Sequence, residues 1–217
     1  MALRSSLFAL LPVLLGACAG AKSAPAPGVE PEVEHPLEAF SSERIMVMPA
    51  QSLRLGDVLG WSASITKPAD FLLAADSAVV REANARRLGS NWVFPAELVR
   101  SAKRNPTYAT DPNAIRAGDA VRRLERNSRG RLAEPVASQL RVLAGLHDTR
   151  YALVPVELSF EPASAGQGQV VWHLALVDIR GARLQWSGNV TSDAASALTP
   201  AVLATLARHA ADLFLAR

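Results

Sequence analysis

Residues 170–190 read VVWHLALVDIRGARLQWSGNV, and this stretch decides the fold. From Val170 to Ile179 both alternating sets of positions are apolar, which suits a strand covered on both faces near the centre of a sheet. Arg180-Gly181-Ala182 then turns the chain, and Leu184, Trp186, Gly188 and Val190 alternate with Arg183, Gln185, Ser187 and Asn189. Two such runs joined by a short glycine-containing link form a β-hairpin. Asp178 stands just before the turn, where a carboxylate accepts hydrogen bonds from nearby backbone N–H groups. Trp172 and Trp186 read as core or cross-strand residues.

On the N-terminal side, a turn with Gly166 and Gly168 joins this hairpin to a third run. There Val154, Val156, Leu158 and Phe160 alternate with Pro155, Glu157, Ser159 and Glu161, the period of a strand with one wet face. Pro155 has no N–H to give to a ladder, so it favours an edge or a bulge. On the C-terminal side, Thr199-Pro200 opens a helix whose apolar face carries Leu203, Leu206, Ala210 and Leu213.

Further upstream, Arg44-Ile45-Met46-Val47-Met48-Pro49 reads as a short buried strand ended by proline. Residues 51–65, with Gly56, Gly60 and Trp61, show no clear period and read as a loop with room for one short strand. Leu72, Ala75, Val79 and Ala83 mark a helix face between Pro68 and Arg87, with Gly89 placed to end it. Asn91 to Pro95 reads as a second short strand. Asp111-Pro112 signals the first helix of a middle section. The second carries Leu132, Val136, Leu140 and Leu143, beginning near Pro135. The order of elements predicts a single α/β domain over 43–217. Its mixed sheet has about four to five strands, with helices packed on it as one layer pair.

The start of the chain carries an address. Arg4, the apolar run Leu7 to Leu15 and the small residues before Cys18 make the three parts of a secretory signal over 1–17. A run broken by Pro12 is far shorter than the roughly 20 residues of a spanning helix. Leu15-Gly16-Ala17-Cys18 resembles the lipobox of bacterial lipoproteins. The resemblance implies that Cys18 is the lipidation site, holding the protein to the membrane through acyl chains. Ala19, which is not aspartate, implies by the same resemblance the outer membrane, facing the periplasm. Residues 18–42, with Pro25, Pro27, Pro31 and Pro36, form a tether that extends on the order of 75 Å at about 3.1 Å per residue. Cys18 is the only cysteine, so acylation leaves no thiol for a disulfide or a zinc site.

Three stretches resemble the family around the amino-terminal domain of TolB and the curli-secretion lipoprotein CsgG: Ile45 to Pro49, Tyr151 to Val154, and Leu176 to Ser187 with its Gly-x-x-x-x-Trp spacing. The resemblance implies a TolB amino-terminal-like sandwich and a periplasmic binding or assembly module. It carries over no catalytic residue.

Charge is uneven within a net +3 chain: residues 81–150 hold fourteen Arg or Lys against seven Asp or Glu. Arg122, Arg123, Arg126, Arg129 and Arg131 form the densest run, suited to anionic lipid, cell-wall or acidic protein partners. A solvated helix end and loop is the simpler explanation of the same residues. Nucleic acid does not fit the envelope address. His35, His147, His173 and His209 lack ligand spacing, and His173, inside an apolar strand, reads as a hydrogen-bonded structural residue. No nucleophile elbow is present, so no metal, cofactor or catalysis is expected. The expectation is a non-catalytic scaffold, assembly factor or regulator acting by protein binding. The alternative is a small-ligand or phospholipid-binding lipoprotein. A deep apolar pocket lined by the sheet would favour the alternative, and a filled core with an exposed patch the first reading.

Overall fold

The computed structural model describes residues 35–56, 59–127, 130–164 and 166–215. The signal, Cys18 and the tether as far as residue 34 lie outside the described residues, as does Arg129. The last part of the expected tether is corrected, since Leu37 is fully buried in the core with its N–H donating to the Leu213 carbonyl at 2.9 Å.

The expected hairpin forms β5 (Gly168–Asp178) and β6 (Arg183–Thr191), preceded by β4 (Tyr151–Pro162), and the three run as an antiparallel meander. Asp178 accepts from the Gly181 N–H at 3.2 Å, as its place before the turn predicts, and pairs with Arg150 at 2.7 Å. β1 (Ile45–Val47) lies parallel to β4, and β3 (Trp92–Val93) parallel to β1. The two-residue β2 (Leu53–Arg54) also pairs with β4, filling the place left for a short strand. The mixed sheet therefore has six strands, in the order β3-β1-β4-β5-β6 with β2 beside β4.

Pro155 is accommodated in a central strand by two devices. β1 ends opposite Leu153 and β2 resumes opposite Leu158, so no ladder bond is asked of the proline nitrogen from that side. On the other side the register with β5 shifts between Pro155 and Glu157, leaving Val156 as an extra residue. The bulge also corrects the expectation of one wet face. Val154 and Val156 pack on one side of the sheet, whereas Leu158 and Phe160 pack on the other. An unbroken alternation in sequence crosses a break in phase, and β4 is buried on both faces for most of its length. A second shift, between Leu176 and Val177, does the same to β6, sending Leu184 and Trp186 to opposite sides.

Both faces are covered by helices, so the expected single layer pair is corrected to three layers. On one side α1 (Pro68–Ala85) and α5 (Pro200–Asp212) bury Ala75, Val79, Ala83, Leu203, Leu206 and Ala210 against Leu153, Trp172 and Leu174. On the other, α2 (Pro95–Arg104), α3 (Ala117–Glu125) and α4 (Val136–His147) bury Leu98, Val121, Leu140 and Leu143 against Met46, Ala152, Ala175 and Val177. Pro95 is the first residue of α2, where its missing N–H is harmless, rather than the end of a strand. Asp111-Pro112 starts only a single 3-10 turn, capped by Asp111 accepting from Asn113 N–H at 2.9 Å, and α3 begins later, at Ala117. α1 is closed by Arg87 in the left-handed region (φ 63°), and Gly89 belongs to the next 3-10 turn. Among the described residues no helix is long and apolar enough to cross a membrane.

Candidate functional site

The arginine run emerges from the end of α3 beside the outer strand of the sheet. Gly118 lets α3 approach β4, because a Cβ there would lie 2.9 Å from the Val156 carbonyl oxygen. One turn further on, Arg122 reaches into the bulge, donating to Glu157 Oε2 at 2.9 Å, the Val156 carbonyl at 3.1 Å and Ser52 Oγ at 3.2 Å. Arg54 pairs with the same Glu157 at 3.2 Å. Arg122 is thus occupied by the protein's own acceptors. Arg123, Arg126 and Arg131 stand exposed. The five arginines read together in the sequence are divided by the fold into one structural residue and a charged rim, with Arg129 undescribed.

Below this rim lies a cleft of about 560 Å³ lined by Leu124, Glu125, Gly130 and the Arg183–Ser187 stretch of β6. The Leu132 N–H donates to the Ala182 carbonyl at 2.8 Å and ties the segment to the hairpin turn. His173 cross-links α3 to the sheet: Nε2 is 2.7 Å from Glu125 Oε1, and Nδ1 is 2.7 Å from Asn189 Oδ1. This is the structural histidine that its setting in an apolar strand predicts. His209 Nδ1 lies 2.6 Å from the Thr191 carbonyl oxygen, and His35 Nδ1 2.6 Å from that of Asp212. His147 is buried at the end of α4, and that burial pushes its pKa below the ordinary imidazole value. Among the described residues no three His, Cys, Asp or Glu groups gather as a metal site would require.

A second surface was not legible in the sequence. Where α1 and α5 begin, an open groove of about 730 Å³ is lined by Ile65, Phe71, Leu73, Leu198 and Leu203, and also by the charged residues Lys67, Asp70 and Arg81. Leu73 is 65% exposed. The available signal was its position: in Phe71-Leu72-Leu73 it falls off the buried stripe that Leu72 and Ala75 follow, an apolar side chain on the wrong side of a helix. By contrast, the layer between α1, α5 and the sheet is filled. Around Val47, Trp172, Leu174 and Ala210 the void measures only about 10 Å³. Asp76, on α1, is largely enclosed and accepts from the Ala50 N–H at 3.1 Å; burial pushes its pKa up to about 7 against the lowering effect of that bond.

No protein-family model matches the chain, and no curated protein does. Among solved structures, the PelC dodecamer from Paraburkholderia phytofirmans is 13% identical with a TM-score of 0.40, the match covering 82% of this chain and 91% of that one. E. coli LpoB is 12% identical with a TM-score of 0.36, over 87% and 82% of the two chains. Lipoprotein GNA1162 from Neisseria meningitidis is 17% identical with a TM-score of 0.35, over 78% and 96%. These likenesses do not show membership of the family of TolB and CsgG.

Proposed function

We propose that this chain is a lipid-anchored envelope protein, held by acyl chains on Cys18 at the outer membrane and facing the periplasm. There it acts without catalysis, as a scaffold, assembly factor or regulator, by binding another protein. The lipobox-like Leu15-Gly16-Ala17-Cys18 supports the anchor, and the three stretches that resemble the TolB and CsgG family support an assembly role. The observation that carries the protein-binding reading is the contrast between interior and surface. The core against the sheet leaves about 10 Å³ of void, too little for a lipid or metabolite, whereas Leu73 and Phe71 line a groove open to solvent. The exposed arginines Arg123, Arg126 and Arg131 add a cationic rim for an acidic partner or anionic surface.

Two measurements test this. Treating cells with a signal-peptidase II inhibitor is expected to accumulate a larger precursor, and an unchanged band would remove the lipid anchor. Native mass spectrometry of the mature protein released from membranes is expected to give the chain plus its acyl groups alone. A stoichiometric small molecule retained in the gas phase would overturn the protein-binding reading in favour of a ligand carrier.

A further inference from the structure

We infer that the outer edge of β6 is a strand-addition site for an extended, acidic segment of a partner protein. The inference rests on the protein-binding reading above and names the chemistry of one contact. Among the described residues, β6 ends the sheet and pairs only with β5. Among the described residues, the backbone groups of Arg183–Val190 that face away from β5 meet no other backbone; the Thr191 carbonyl is taken by His209. Nine residues of strand offer about 30 Å of edge, long enough for a stable ladder.

Edge strands in soluble proteins are commonly covered or blunted. Among the described residues, no helix or loop pairs with the edge where the 560 Å³ cleft runs along Arg183–Ser187. Its surroundings select the charge of the occupant. Arg183 is exposed on the strand itself, and Arg126 and Arg131 are exposed next in sequence to the lining residues Glu125 and Gly130. Against these three cations stands one carboxylate, that of Glu125, which is engaged by His173 at 2.7 Å, so the rim is cationic on balance. Trp186, on the face of the sheet away from α3, supplies an apolar contact, and its indole lies so close over Gly188 that a Cβ there would meet it at 2.6 Å. A strand that alternates acidic and apolar residues satisfies the ladder while turning its acidic side to the rim at α3 and its apolar side to Trp186.

The test uses the mature, acylated protein in detergent and a fluorescein-labelled (Glu-Val)4 peptide, with (Lys-Val)4 and a backbone N-methylated (Glu-Val)4 as controls. The acidic peptide is expected to bind at least about tenfold more tightly than the basic one and to weaken as salt rises. It should slow hydrogen exchange at amides within Arg183–Thr191. The exposed-site variant R126E/R131E is expected to lose about tenfold in affinity with its melting temperature unchanged. Equal binding of the N-methylated peptide, binding without slowed exchange in β6, or no binding would each overturn the proposal. Slowed exchange that grows with protein concentration and without peptide would assign the edge to a second copy instead, and binding to phosphatidylglycerol vesicles that displaces the peptide would assign the rim to membrane; either overturns it. A photo-crosslinker at Leu73 reads a different surface. Loss of peptide binding with Leu73 adducts intact removes strand addition alone, whereas silence in both removes the protein-binding reading as well.

Discussion

Val156 is the residue on which the sheet changes phase, and the groups around it show how one extra residue is held. Its carbonyl accepts from Arg122, whose guanidinium also binds the half-buried Glu157. Arg122→Ala would leave that carboxylate with only the exposed Arg54 as a cationic partner, so it is expected to destabilise the fold by about 1–2 kcal/mol in urea unfolding. Arg123→Ala, which removes an exposed side chain, should change stability by less than about 0.5 kcal/mol. Asp76 gives a pH-dependent counterpart. Its folded pKa, about 7, lies above the ordinary carboxylate value, so between about pH 4 and 7 the native state binds more protons than the unfolded one. Its contribution to stability therefore falls as pH rises through that window. Asp76→Asn keeps an oxygen to accept from Ala50 while removing the charge; it should raise the melting temperature at pH 8, and the gain should vanish below pH 4. None of this was legible beforehand: the arginine run announces charge, but only the folded chain brings Glu157 and Ser52 to one member of it.

At the scale of elements, helices are placed by what their glycines allow. Gly118 sits where a Cβ would meet the Val156 carbonyl at 2.9 Å, whereas Gly145 in α4 has open space around the same position. Gly118→Ala is thus expected to destabilise by about 1–3 kcal/mol, since backbone must shift. Gly145→Ala should stabilise by about 0.5–1 kcal/mol through helix propensity. Calorimetry of the two variants would report opposite signs. The elements that were readable are those whose pattern is long: β5 and β6, the α1 and α5 faces, and the Leu140–Leu143 stripe of α4. Those that were not are short or interrupted. α2 was concealed because Pro95, its first residue, also makes a plausible strand end, and it buries just Leu98 and Ala102. The true phase of β4 was concealed because Val154, Val156, Leu158 and Phe160 keep alternating across the bulge.

At the scale of the molecule, covering the sheet on both faces leaves its apolar capacity spent inside. Outward features include the groove where α1 and α5 begin, and the open edge of β6 beside its exposed arginines. The contrast between the filled layer under α1 and α5 and these outer surfaces is what the protein-binding proposal rests on. The Cys18 anchor reading would keep such contacts near one membrane, within the reach of its tether. The most direct measurement places a photo-reactive phenylalanine at Leu73 and, as control, at the exposed Lys103 on α2, in the mature protein in growing cells. The account predicts one discrete protein adduct from position 73 and none from 103. Lipid adducts alone at position 73, or no adduct there at all, would contradict it.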